Sequence, residues 1–106
     1  LRLKNSGNNL PIGVSAETEP VFDSIHPRQD DMLLLLTDGL IEQSNRDGAV
    51  YSMEQIARIL HGHAGMPVEN IGDQLLKDFN TFRGQHHLID DVTFALMKFT
   101  PQEVTL

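Results

Sequence analysis

Two short stretches of this chain place carboxylates where chemistry can use them. Residues 32–45 read MLLLLTDGLIEQSN, so an apolar run with four leucines delivers Thr37, Asp38 and Gly39 at its end. Residues 85–93 read QHHLIDDVT, so Asp90 and Asp91 stand just before a second apolar run. Clustered carboxylates repel one another unless a proton or a cation joins them, and oxygen-only ligands suit Mg²⁺ or Mn²⁺. Each stretch also has a plainer reading: Asp-Gly after a strand is a common turn, and Asp-Asp before a strand can cap a loop. The pairing of the two, each at a strand terminus, makes Asp38, Asp90 and Asp91 the candidate metal ligands. Gly39 would let backbone or substrate approach closely.

The elements that must position these residues are legible in outline. The run over 32–37 is continuous and apolar, bounded by Gly39, and predicts a strand buried on both faces. The run over 92–99, rich in β-branched and aromatic residues, predicts a final strand that Thr100-Pro101 ends. If the two are antiparallel neighbours, the end of the first abuts the start of the second, and carboxylates 52 positions apart meet at one edge of the sheet. Between them, Asn45-Arg46-Asp47-Gly48 signals a turn. Ser52 followed three residues later by Gln55 has capping-box spacing, and Met53, Ile56, Ala57 and Leu60 recur at helical spacing until Gly62 and Gly65. Pro67 suits the first turn of a second helix, whose apolar stripe is Val68, Ile71, Leu75, Phe79 and Phe82 and whose close is Arg83-Gly84. Upstream, turn formers crowd residues 1–20, a short strand is expected over 21–25, and Gln29-Asp30-Asp31 predicts a tight turn. The fold class is therefore α+β: an antiparallel sheet with two helices packed on it.

Composition narrows the function classes. A chain of 106 residues is long enough for one domain with a real core. With 15 acidic against 8 basic residues, the net charge of −7 argues against nucleic acid, which needs a basic face. The absence of cysteine excludes disulfides and thiolate metal sites and is compatible with a reducing cytoplasm. The longest apolar run is far too short to span a membrane, and no secretory signal opens the chain. It begins Leu-Arg-Leu-Lys, as expected of a piece of a longer polypeptide. His61, His63, His86 and His87 read as solvated residues near helix ends, where a cation favours the dipole, rather than as ligands. The sequence shows no Ser/His/Asp arrangement built on Ser15, Ser24 or Ser52, which sets nucleophilic serine catalysis aside.

The stretch from Asp31 through Thr37-Asp38-Gly39 to Glu42 resembles the GD-x-L-x-x-x-T-D-G-x-x-E signature of SpoIIE/RsbU-type bacterial protein phosphatases. These belong to the PPM (PP2C-like) superfamily of metal-dependent serine/threonine phosphatases. Asn45-Arg46-Asp47-Gly48 falls at that family's N-x-x-G-E-x-F-G turn, Asp90-Asp91-Val92-Thr93 matches its closing DD-x-T, and Leu10-Pro11-Ile12-Gly13 is similar to its PLG element. Asp30 departs from the usual glycine, which is tolerable because aspartate accepts turn conformations, and Tyr51-Ser52 replaces Phe-Gly. The family's upstream GD-x-x-G-H-G motif, which carries its metal-bridging aspartate, has no counterpart here.

The resemblance implies the PPM α-β-β-α sandwich, with residues 1–106 as the C-terminal half of one domain. It implies a site of two Mn²⁺ or Mg²⁺ ions at which water attacks phosphoserine or phosphothreonine, with Asp38 and Asp90 as ligands and Asp91 ranked third. The implied partner is a phosphorylated regulatory protein of the anti-sigma-factor antagonist type. The chain alone is expected to be inactive and to bind metal weakly, and the uncovered half-sandwich to favour a homodimer or strand-swapped oligomer. Two other classes compete: a non-catalytic interaction module built on a degenerate phosphatase, and a receiver-like phosphoacceptor at Asp38. Against the latter, Asp90-Asp91 follow the strand instead of preceding it.

Overall fold

The computed structural model describes residues 14–17, 19, 22 and 24–100. The leucine run forms strand β1 (Met32–Leu36), and the second apolar run forms β2 (Phe94–Lys98). They pair antiparallel, with Leu36 opposite Phe94, Leu34 opposite Leu96 and Met32 opposite Lys98. Between them lie α1 (Asp38–Ile41), α2 (Met53–Gly62) and α3 (Val68–Arg83). The mixed α+β class is as expected.

The predicted helix signals act as read. The Ser52 hydroxyl accepts from Gln55 N at 3.2 Å, and the Gln55 side chain accepts from Ser52 N, closing a capping box. Pro67 stands one position earlier than expected, at the N-cap of α3, where its lack of an N–H costs nothing. Gly84 closes α3 at φ +59°, a conformation that side chains rarely adopt. The turn at 45–48 is closed by a bridge between Ser44 and Val50, and Asn45 Oδ1 accepts from the amides of Asp47 and Ala49, both at 3.0 Å. Asp30, standing where the family has glycine, has φ +66°, so it does occupy the turn conformation that glycine would.

The apolar stripes converge. Ile71, Leu75 and Phe79 of α3 join Ile56 and Leu60 of α2, Leu40 of α1 and Tyr51 in one buried cluster. Met32, Leu34 and Leu36 of β1 and Phe94 and Leu96 of β2 pack against it from the sheet. Tyr51 meets Phe79 edge-on, with ring centroids 5.4 Å apart, and its hydroxyl donates to Asp78 Oδ2 at 2.7 Å. Burial first, and the Asp78 carboxylate second, push the Tyr51 phenol well above its ordinary range.

Three expectations need correcting. β1 is not buried on both faces. Its alternate residues Leu33 and Leu35 pair with Met97 and Ala95 on the side away from the helices, and Leu35 is 55% and Met97 44% exposed. Helices cover one face of the two-stranded sheet, and among the described residues nothing stacks on the other. Thr37-Asp38-Gly39 is not a simple turn either, because Asp38 opens the short helix α1. The strand expected over 21–25 is absent at residues 22, 24 and 25, and Phe22 is 87% exposed. Leu10-Pro11-Ile12-Gly13 lies outside the described residues.

Candidate metal centre

Where β1 ends, three consecutive residues take three different tasks. Thr37 extends the sheet by one step: its amide donates to Thr93 O at 3.0 Å, and its hydroxyl accepts from Thr93 N at 3.0 Å and donates to Thr93 O at 3.2 Å. A threonine before a helix ordinarily caps it with its hydroxyl. Here that hydroxyl is committed to the entrance of β2, and α1 has no side-chain cap. Asp38 is exposed, in the first turn of α1. Leu40, wholly buried in the core, ties that short helix down.

Gly39 carries the close approach. A Cβ built on it would fall onto the backbone carbonyl of Asp91, 2.9 Å from the carbonyl carbon and 3.3 Å from Asp90 O. Only a residue without a side chain lets the Asp90-Asp91 backbone lie against α1. The structure thus brings the Asp38-Gly39 segment and the Asp90-Asp91 segment into van der Waals contact, across the antiparallel pairing of β1 and β2. Asp90 and Asp91 are both exposed, and Asp90 Oδ1 accepts from Asp91 N at 2.7 Å.

The donors at this edge are carboxylate oxygens, the chemistry that a hard divalent cation requires. Among the described residues no three His, Cys, Asp or Glu side chains converge into a group that could hold an ion by themselves. The rings of His63, His86 and His87 have other neighbours. His63 Nδ1 is 2.8 Å from Ile59 O at the end of α2, and the His86 and His87 rings stack on each other at 4.5 Å.

One residue of this edge had no signal in the sequence. Gln43 is completely buried, and it is the polar residue among the largest fully buried side chains. Its Nε2 donates to His87 O at 3.0 Å and Ser44 O at 2.8 Å, while its Oε1 accepts from Ile89 N at 3.2 Å. A glutamine between Glu42 and Ser44 reads as surface, and nothing local distinguishes it. Thr37 was visible as part of a motif, but its grip on Thr93 was not.

The sequence model of the family described as Stage II sporulation protein E (SpoIIE) matches residues 2–100. The chain belongs to the SpoIIE family. That family's domain is of the PPM, PP2C-like phosphatase type, and such domains generally use Mn²⁺ or Mg²⁺. No curated protein and no solved structure gives a match. In this SpoIIE-family chain, no described helix is long and apolar enough to cross a membrane.

Proposed function

We propose that this chain supplies the C-terminal part of a metal-dependent serine/threonine phosphatase site, with Asp38 and Asp90 as metal ligands and Asp91 as a third candidate. The observation that carries the reading is the contact of Gly39 with the Asp90-Asp91 backbone, which puts the two carboxylate-bearing segments side by side. Family membership supports the reaction class. The remaining ligands come from polypeptide outside these 106 residues: the sequence has no GD-x-x-G-H-G stretch, and the outer sheet face of Leu33, Leu35, Ala95 and Met97 is open to a second layer.

In this reading the substrate is a phosphoserine or phosphothreonine on a small regulatory phosphoprotein of the anti-sigma-factor antagonist type. Water adds to phosphorus, the bond to the side-chain oxygen breaks, and that oxygen leaves as the alcohol after taking a proton. Bound cations supply charge that offsets the phosphoryl oxygens and lower the pKa of water. The chain's own contribution is placement. Thr37 and Leu40 fix Asp38 from either side, Gly39 admits the second segment, and the exposed carboxylates face solvent, where a substrate can reach them.

The test is an NMR titration with Mn²⁺, alongside Asp38→Asn and Asp90→Asn. Paramagnetic broadening at both aspartates, lost in either variant, is the expected result. No broadening at Asp38 or Asp90 up to millimolar Mn²⁺ would overturn the assignment. Phosphopeptide hydrolysis by the 106-residue chain alone would overturn the claim that the site is completed from outside it.

A further inference from the structure

We propose that Gln43 is a positioning residue for the Asp90-Asp91 carboxylates, acting through the backbone of the segment that leads into them; the inference rests on the metal-site reading above. A buried primary amide is costly unless its donors and acceptor are used. Gln43 uses both ends: Nε2 donates to His87 O and Ser44 O, and Oε1 accepts from Ile89 N. Two of these three bonds reach a segment more than forty positions away, and that segment makes no helix or strand of its own. Residues 88 and 89 are apolar yet about half exposed, so burial of their side chains does not hold it. Among the described residues, the hydrogen bonds that reach residues 87–89 come from the side-chain amide of Gln43, next to His86, whose carbonyl Arg83 holds.

The second fixed point lies immediately beyond the aspartates. Thr37 holds Thr93 through its amide and its hydroxyl, and that hydroxyl also lies 3.5 Å from Asp91 O. Asp90 and Asp91 therefore sit between two clamps, one at 87–89 and one at 93. Both clamps come from the stretch 37–43 that carries Asp38, so the two carboxylate segments share one frame. Thr37 is already part of the sheet. Gln43 lies outside the named helices and strands: its backbone carbonyl accepts from Tyr51 N beside the Ser44–Val50 bridge, while its side-chain amide reaches across to residues 87 and 89, and that reach makes positioning its task.

The experiment compares the native chain with Gln43→Met, which keeps the side-chain length and removes the amide, and with Ser52→Ala, which weakens the cap of α2 away from the carboxylates. Two readouts are taken: hydrogen exchange at the Ile89 amide and the Mn²⁺ midpoint from broadening at Asp38 and Asp90. Gln43→Met is expected to speed Ile89 exchange and raise the midpoint about tenfold or more, the size of effect seen when the outer-shell partner of a ligand is lost, while Ser52→Ala leaves the midpoint unchanged. If the native chain responds to Mn²⁺ and Gln43→Met has the same midpoint, the positioning role is overturned and the metal reading stands. If Ile89 exchange is unchanged, the clamp itself is overturned. No Mn²⁺ response in the native chain sinks the metal reading and this inference with it. Should Gln43→Met fail to fold, Gln43→Asn, which withdraws the same amide by one methylene, is read by the same criteria.

Discussion

The two sides of this molecule are held together by different forces. Between the helices and the inner sheet face, seven buried apolar or aromatic residues, from Leu40 to Phe79, pack against one another. At the edge where β1 ends and β2 begins, the contacts are hydrogen bonds and one glycine: Thr37 to Thr93, Gln43 to His87 and Ile89, Gly39 against Asp91. The first region gives the chain its stability, because apolar burial is its main favourable term. The second gives it geometry, because hydrogen bonds and close backbone approach have direction, whereas apolar packing tolerates exchange of similar shapes. Residues 36–43 pass through both. Leu36 and Leu40 belong to the core, and Thr37, Asp38, Gly39 and Gln43 belong to the edge. A single short stretch thereby welds the apolar core to the carboxylate edge.

That division makes the largest expected effect a core substitution. Phe79→Ala removes a ring that is 1% exposed and touches Tyr51, and it should cost about 3–5 kcal/mol in urea unfolding, much of the stability of a domain this size. The carboxylate edge should melt with the rest. Gly39→Ala is next and should behave differently. The added methyl meets backbone, which cannot swing away, so about 3 kcal/mol is expected, with the largest amide shifts at residues 90–93 and little change in α2. Equal shifts across core and edge would show that the two regions are not separable.

The core was more legible in the sequence than the edge. Ile71, Leu75 and Phe79 announced themselves by helical spacing, and Ser52 with Gln55 by a cap whose chemistry is local. The neighbourhood of Asp38 and Asp90-Asp91 followed from one assumption, antiparallel pairing of two apolar runs, which the register satisfies. The outer face of β1 was misjudged because a run of leucines signals burial on both sides without saying whether this chain carries the covering layer. Gln43 was invisible because two of its three side-chain partners lie more than forty positions away and all are backbone atoms, which no side-chain pattern encodes.

A smaller effect probes a polar bond of the packed region. Tyr51→Phe keeps the ring in the core and deletes the bond to Asp78, for a loss of about 1.5 kcal/mol at neutral pH. Its pH dependence is the sharper readout. The folded protein holds the Tyr51 phenol protonated above its ordinary range, while the unfolded chain releases that proton near pH 10, about the unperturbed value. Above that pH the unfolded state binds fewer protons than the folded one, so native stability falls as pH rises. The variant lacks that term, and the gap between the two proteins should narrow in alkaline urea titrations.

The smallest effect is expected on the sheet face that the helices do not cover. Leu35 is a leucine in a strand, flanked by leucines, and a reading from sequence would rank it with Leu34. Leu34 packs on the core, while Leu35 is 55% exposed beside Ala95 and Met97. Leu35→Thr keeps β propensity and should change unfolding free energy by less than about 0.5 kcal/mol, whereas Leu34→Thr should cost several times more. Sedimentation at rising concentration belongs beside that measurement, because a second copy stacked on this face would bury Leu35 in solution. A loss for Leu35→Thr as large as for Leu34→Thr, together with a dimer that the substitution dissociates, would mean that the face is already covered. The core would then extend through the sheet, and the contrast between a packed side and an open one would hold only for the isolated chain.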